Sequence, residues 1–315
     1  MNDNLIVSTS PHFHGKVTTT GIMRDVLIAL LPATVASVVF FGIKALVMIA
    51  VCVCASVMSE YLFNIICKKK QTVRDLSAIV TGLLLALSLP AKASLWHCLL
   101  GSVFAIIVVK CLFGGIGCNF ANPAVTARVF LLIAFSSSLA GGVATNYATV
   151  ELVSSATPLQ VLGGSNGFLP SLVDMLVGNR GGAIGETCAI ALILGFIYLL
   201  VRRVISWETP IIFVGSVFLL TLAFTQDIQV TLYHTLGGGL LLGAIFMATD
   251  YVTTPINTVG KILFALGCGI ITVLIRLFGS YPEGASFAIL IMNILTPYLE
   301  KVGVPRPVGG VKNEK

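Results

Sequence analysis

Apolar residues fall in ten runs separated by short polar stretches, at about 26–43, 45–66, 76–90, 95–113, 124–141, 186–205, 210–225, 232–250, 262–278 and 284–299. A helix crossing a bilayer needs roughly 20 apolar residues, so the runs predict ten transmembrane helices, with the third too short for a full crossing. Long continuous runs exclude a β-barrel, whose strands would alternate. A weak internal repeat accompanies the runs. Thr81-Gly-Leu-Leu-Leu-Ala-Leu87 resembles Gly238-Gly-Leu-Leu-Leu-Gly-Ala244 at an offset of 157, and Asn122-Pro-Ala124 parallels Tyr281-Pro-Glu283 at 159. Five runs per half is an odd number, so the second copy crosses in the opposite sense. The predicted fold is therefore an all-α polytopic membrane protein of two inverted five-helix repeats, with the short third run and its partner, the eighth, as broken helices at the interface.

Composition agrees. Hydrophobic residues make up 57% of the 315 and charged residues 10%, against roughly 25% charged in a soluble domain. The first 25 residues are polar and the first apolar run lacks a small-residue cleavage site, so no cleavable signal is expected. With the N-terminus cytoplasmic, fifteen of the nineteen Lys and Arg, Lys110 and Arg128 among them, lie on or near that face. Lys44, Lys92, Arg180 and Arg276 fall outside it, a strong positive-inside bias. The net charge of +6 thus reports topology and not a nucleic-acid surface. The chain divides into a cytoplasmic N-terminal segment (1–25), a first repeat (26–141), an external loop (142–185), a second repeat (186–299) and a cytoplasmic tail (300–315). Eight cysteines form no C-x-x-C pair and lie in or beside apolar runs, where thiols act as small hydrophobes, the alternative being a cluster shared with a neighbouring protein.

Candidate chemistry is sparse. Gly114-Gly-Ile-Gly-Cys-Asn-Phe-Ala-Asn-Pro123 allows tight turns and close backbone approach, and Asn119 and Asn122 offer donors and acceptors to a planar polar ligand; alternatively they cap the fifth helix. Asp250, at the end of the eighth run, either helps hold a ligand or caps the next turn. Glu60 within the second run would be costly facing lipid, Lys110 reads as a snorkelling residue, and Glu186 complements the dipole of the sixth helix, as Tyr281-Pro-Glu-Gly284 does for the tenth. The four histidines show no metal spacing, and no nucleophile elbow, Walker loop or H-E-x-x-H is present. In the external loop, Thr157-Pro-Leu-Gln160 is a capping box with Pro at the first helical position, a helix start that would also attract a phosphate.

Four motifs, Gly114-Gly-Ile-Gly-Cys-Asn-Phe-Ala-Asn-Pro-Ala124, Gly185-Glu-Thr187, Phe246-Met-Ala-Thr-Asp250 and Tyr281-Pro-Glu-Gly-Ala-Ser-Phe-Ala-Ile-Leu290, occur in the order found in one family. They resemble the membrane subunits of ion-translocating oxidoreductases that include the D subunit of the Rnf complex and the B subunit of the Na⁺-pumping NADH:quinone reductase. The chain's length favours the former. The resemblance implies a urea-transporter-like architecture in the bacterial cytoplasmic membrane, both termini cytoplasmic. It also implies FMN linked through its phosphate to a threonine in a motif resembling Asp-x-x-Ser/Thr-Gly-Ala-Thr. Here Glu151 stands for the Asp, Ser154 for the Ser/Thr, Ala156 for the Ala and Thr157 for the acceptor, while Ser155 departs from the Gly. A separate flavin transferase acting on FAD would make the attachment. A second flavin, riboflavin, is implied near Asn119, Asn122 and Asp250. Implied partners are the other Rnf subunits (the A and E membrane subunits, the G flavoprotein, and the B and C iron–sulfur proteins) and the lipid bilayer. The implied activity is ferredoxin:NAD⁺ oxidoreduction coupled to Na⁺ or H⁺ export. Two rival readings are a channel or secondary transporter of the urea or ammonium type, and a flavin-free scaffold.

Overall fold

The computed structural model describes residues 18–139, 142–146, 151–165, 167–279, 281 and 283–302. Parts of the N-terminal segment (1–17) and of the tail (303–315) lie outside the described residues. Each of the ten apolar runs carries helix.

The first two runs form one 48-residue helical segment, α1 (Thr19–Ile66), started by Thr18, whose hydroxyl accepts from the Gly21 amide at 3.1 Å. Gly42, with φ 64° and ψ −152°, interrupts it. Only glycine occupies that backbone region without strain. The chain folds back there. Thr19 and Met23, at the start of α1, line the same cavity as Lys110, which is bonded to Glu60 near the end of α1. A straight helix would separate those ends by roughly 60 Å. Each limb, on the order of 35 Å long, can cross a hydrocarbon core.

The short third run is α2 (Ser77–Ser88), 12 residues and almost wholly buried. Its length, roughly 18 Å, reaches only part-way across a bilayer, so its last carbonyls need partners inside the protein. The segment 183–185 supplies them: the Ile184 amide donates to the Leu89 carbonyl at 3.0 Å and the Gly185 amide to Leu87 at 2.7 Å. Helix α3 (Leu95–Val103) continues as a π-turn through Phe104–Cys111. α4 (Pro123–Ala134) and the single turn α5 (Ser136–Leu139) complete the first half.

The connection between halves departs from an all-α expectation. Strands β1 (Gly142–Asn146) and β2 (Glu151–Ser155) pair antiparallel, Gly142 opposite Ser155. Two short helices follow, α6 (Pro158–Leu162) and α7 (Leu172–Val177).

The second half holds α8 (Ala189–Val201), α9 (Glu208–Thr225), α10 (Ile228–Leu236), α11 (Leu240–Leu242) continuing as a π-turn to Met247, α12 (Thr258–Phe278) and α13 (Ala285–Leu299). The eighth run is broken as expected: α10 and α11 meet at 56° across Gly237–Gly239. One core, including Leu30, Leu85, Phe213, Ala244 and Phe264, joins both halves. Exposed positions on the long helices, such as Leu31, Val39, Leu219 and Phe278, are apolar. That is the outward face of a multi-pass membrane protein, whose interior holds the polar groups.

Candidate functional site

Thr157 is the N-cap of α6. Its hydroxyl accepts from the Gln160 amide at 3.3 Å, and its own amide donates to Gln160 Oε1 at 2.9 Å, so the expected capping box is formed. α6 has only five residues, so its dipole is a poor source of positive potential. Buried arginines supply the charge instead. Thr157 is 9% exposed and faces two small spaces. One, of about 60 Å³, is lined also by Ser88, Pro90, Arg128, Tyr281 and Glu283. The other is a tight cleft shared with Arg180, Gly182, Glu186, Gly238 and Glu283.

Arg128 bridges two carboxylates, Glu186 at 2.5 Å and Glu283. Arg180 donates from Nε to the Thr187 carbonyl (3.2 Å) and from Nη2 to the carbonyls of Glu186 (2.7 Å) and Leu236 (2.8 Å). Arg276 donates to the carbonyls of His234 and Gly237. Thus two arginines satisfy the carbonyls freed where α10 breaks, the negative end of a helix. Burial pushes the Arg180 guanidinium down to about 10, leaving it a cation at neutral pH. Glu186 Oε2, Arg276 Nε and His234 Nδ1 are buried without a hydrogen-bond partner among the described residues.

These contacts correct several sequence expectations. Glu186 does not open a helix, since α8 starts at Ala189; it and Glu283 are ion-pair partners of Arg128. Arg128, counted on the cytoplasmic face, joins the cluster of Arg180 and Arg276, which were counted outside it. Lys110 does not snorkel: at 2% exposure it donates to Glu60 Oε2 at 2.9 Å and Ser77 Oγ at 2.7 Å. Partners 50 to 155 residues apart leave no local signal. The one usable hint was that Arg128, Glu186 and Glu283 all interrupt apolar runs or their edges.

Of the flavin-motif residues, Ala156 and Thr157 lead out of the ribbon, and Glu151, Ser154 and Ser155 lie on β2, where only the backbone is described. Asn119, Asn122 and Asp250 come together around a separate cavity of about 430 Å³ between the halves. Asn122 caps α4, accepting from the Ala124 and Val125 amides, and donates to the Met247 carbonyl at 3.2 Å. Asp250 accepts from Thr253 Oγ1 at 3.2 Å and closes the following turn. Both therefore do the capping work that was the alternative reading. Among the described residues Asn119 Oδ1 is buried without a partner and is available to a ligand. Among the described residues no group of three metal-ligating side chains forms, and the eight cysteines are free thiols, four of them buried.

A model of the family described as "NQR2, RnfD, RnfE family" matches residues 6–309. The chain is 45% identical to the D subunit of the Na⁺-translocating ferredoxin:NAD⁺ oxidoreductase complex of Acetobacterium woodii, over 100% of the chain and 99% of the relative. It is 38% identical to the D subunit of the proton-translocating ferredoxin:NAD⁺ oxidoreductase complex of Clostridium ljungdahlii, over 96% of each. It is 36% identical to the D subunit of the ion-translocating oxidoreductase complex of Stutzerimonas stutzeri, over 91% of each.

Proposed function

The chain belongs to the NQR2, RnfD, RnfE family, and from that premise we propose that it is a membrane electron-transfer subunit carrying FMN esterified to Thr157. Its relatives are subunits of a redox enzyme that translocates Na⁺ or H⁺. In the reading proposed, this chain serves the same ferredoxin:NAD⁺ oxidoreductase and couples electron flow to export of one of those ions.

One observation carries the flavin assignment. The Thr157 hydroxyl lies beside spaces lined by Arg128, Arg180, Glu186 and Glu283, with Arg276 against Gly238 behind them; with both carboxylates ionised, the three guanidiniums leave one positive charge for a phosphate to meet. The residues present fit that group by size as well. The space of about 60 Å³ beside Thr157 is of a size for a few waters or a phosphate. The flavin supplies one- and two-electron chemistry when attached; the chain supplies position and charge. The cavity at Asn119, within the usual range for cofactor sites, is the place proposed for a second flavin such as riboflavin.

The short helix α2 and the broken pair α10–α11 support an inverted-repeat, urea-transporter-like arrangement with ten spans. In it both termini are cytoplasmic and the Thr157 connection opens to the outside of the bacterial cytoplasmic membrane. Partners in this reading are the A, B, C, E and G proteins of the complex and the flavin transferase. The test is flavin fluorescence that survives denaturing electrophoresis of chain made with the transferase. Thr157→Ser is expected to keep part of it and Thr157→Val to lose it. Undiminished signal in Thr157→Val excludes attachment there, and no signal in the wild-type chain favours a channel or a bare scaffold.

A further inference from the structure

Arg180 stands out within the cluster for what it lacks. It is 6% exposed, yet among the described residues it makes no ion pair. Arg128 has two carboxylates; Arg180 has three backbone carbonyls and, at Nη1, only the Met175 sulfur at 3.3 Å. A thioether is a weak acceptor, so the two Nη1 hydrogens are poorly used in a place where an unpaired cation is expensive. Arg180 also lines the cleft that Thr157 enters. Arg276, the other arginine of the cluster with no ion pair among the described residues, lines neither space beside Thr157.

Charge points the same way. Three guanidiniums against two carboxylates leave the cluster one charge positive. A phosphate with one oxygen esterified to flavin and another to threonine carries about one negative charge, one ionisable oxygen fewer than a monoester. With both carboxylates ionised, such a diester brings the count to zero.

We propose that Arg180 is the positioning residue for the phosphodiester on Thr157, its Nη1 edge being kept free of carboxylates so that the flavin phosphate becomes its counter-ion. This rests on the reading of Thr157 as the attachment position. It adds a thermodynamic consequence: the ester neutralises a buried cation, so attachment stabilises the fold of this chain.

The experiment compares thermal melting in detergent of the full chain made with and without the transferase, alongside the covalent flavin signal. In the wild-type chain the ester is expected to raise the midpoint by on the order of 5 °C or more. In Arg180→Gln that rise is expected to vanish, because the cation it neutralised is gone. A purely structural arginine, bonding the carbonyls at the α10 break, would lower both forms equally and leave the rise intact; that result overturns the proposal while Thr157 attachment stands. Absence of covalent flavin from the wild-type chain overturns the attachment reading and this proposal with it. Should Arg180→Gln fail to accumulate, Arg180→Met decides: it also removes the cation, so the rise should vanish, and a full rise overturns the idea.

Discussion

At the scale of single residues, burial decides what each charge does. Lys110 and Glu60 are 2% and 1% exposed, and the pair is tied further by Ser77 at Nζ and by Thr72, whose hydroxyl donates to Glu60 Oε1 at 2.5 Å. Inside a membrane protein such a pair is strongly destabilising to break and cheap to replace as a whole. Glu60→Gln is therefore expected to cost about 3–5 kcal/mol, read as a lower midpoint in detergent melting. The double variant Glu60→Gln/Lys110→Met should recover most of it; a double variant no better than Glu60→Gln would refute the pairing. Asn122 shows the opposite lesson. Its cap was readable from Asn-Pro alone, whereas its bond to the Met247 carbonyl, 125 residues away, was not.

At the scale of elements, the short and broken helices are the informative ones. α2 ends inside the protein, and its terminal carbonyls are met by 183–185 running across them. That contact requires glycine: a Cβ on Gly185 would lie 2.5 Å from the Leu87 Cβ and 3.1 Å from its Cα. Gly185→Ala is expected to cost about 1–3 kcal/mol, with Gly185→Ala/Leu87→Ala relieving part of the crowding without restoring the full stability. Equal melting of Gly185→Ala and wild type would contradict the close approach. The break in α10–α11 is met differently, by Arg180 and Arg276 on its open carbonyls. Sequence pointed to both elements, to the third run through its length of only 15 residues and to the eighth through its place in the repeat. The two solutions to the freed backbone came from distant segments. The β1–β2 ribbon is a local feature to which apolar runs are blind, since it lies between spans.

At the scale of the whole molecule, the ends of α1 meet at one cavity and the Thr157 cluster lies apart from it, which gives the chain two distinct polar regions. Moving Arg128 into the Thr157 cluster changes the basic-residue count from fifteen against four to fourteen against five, still a clear bias. On that basis a cysteine in place of exposed Ser165, in a chain freed of its own cysteines, should react with an impermeant thiol reagent in intact cells. One in place of exposed Lys69 should react only after permeabilisation. Labelling of both from the same side would reject the topology. Hydropathy by itself determined that this chain lives in a membrane, where its helices run and that the third is short, because apolar length acts locally. Motif order added the family. Tertiary structure alone decided which charges meet. A buried charge is tolerated only with a partner, and here the partners of Arg128, 58 and 155 residues distant, are fixed by how helices pack and not by what lies beside them in the chain.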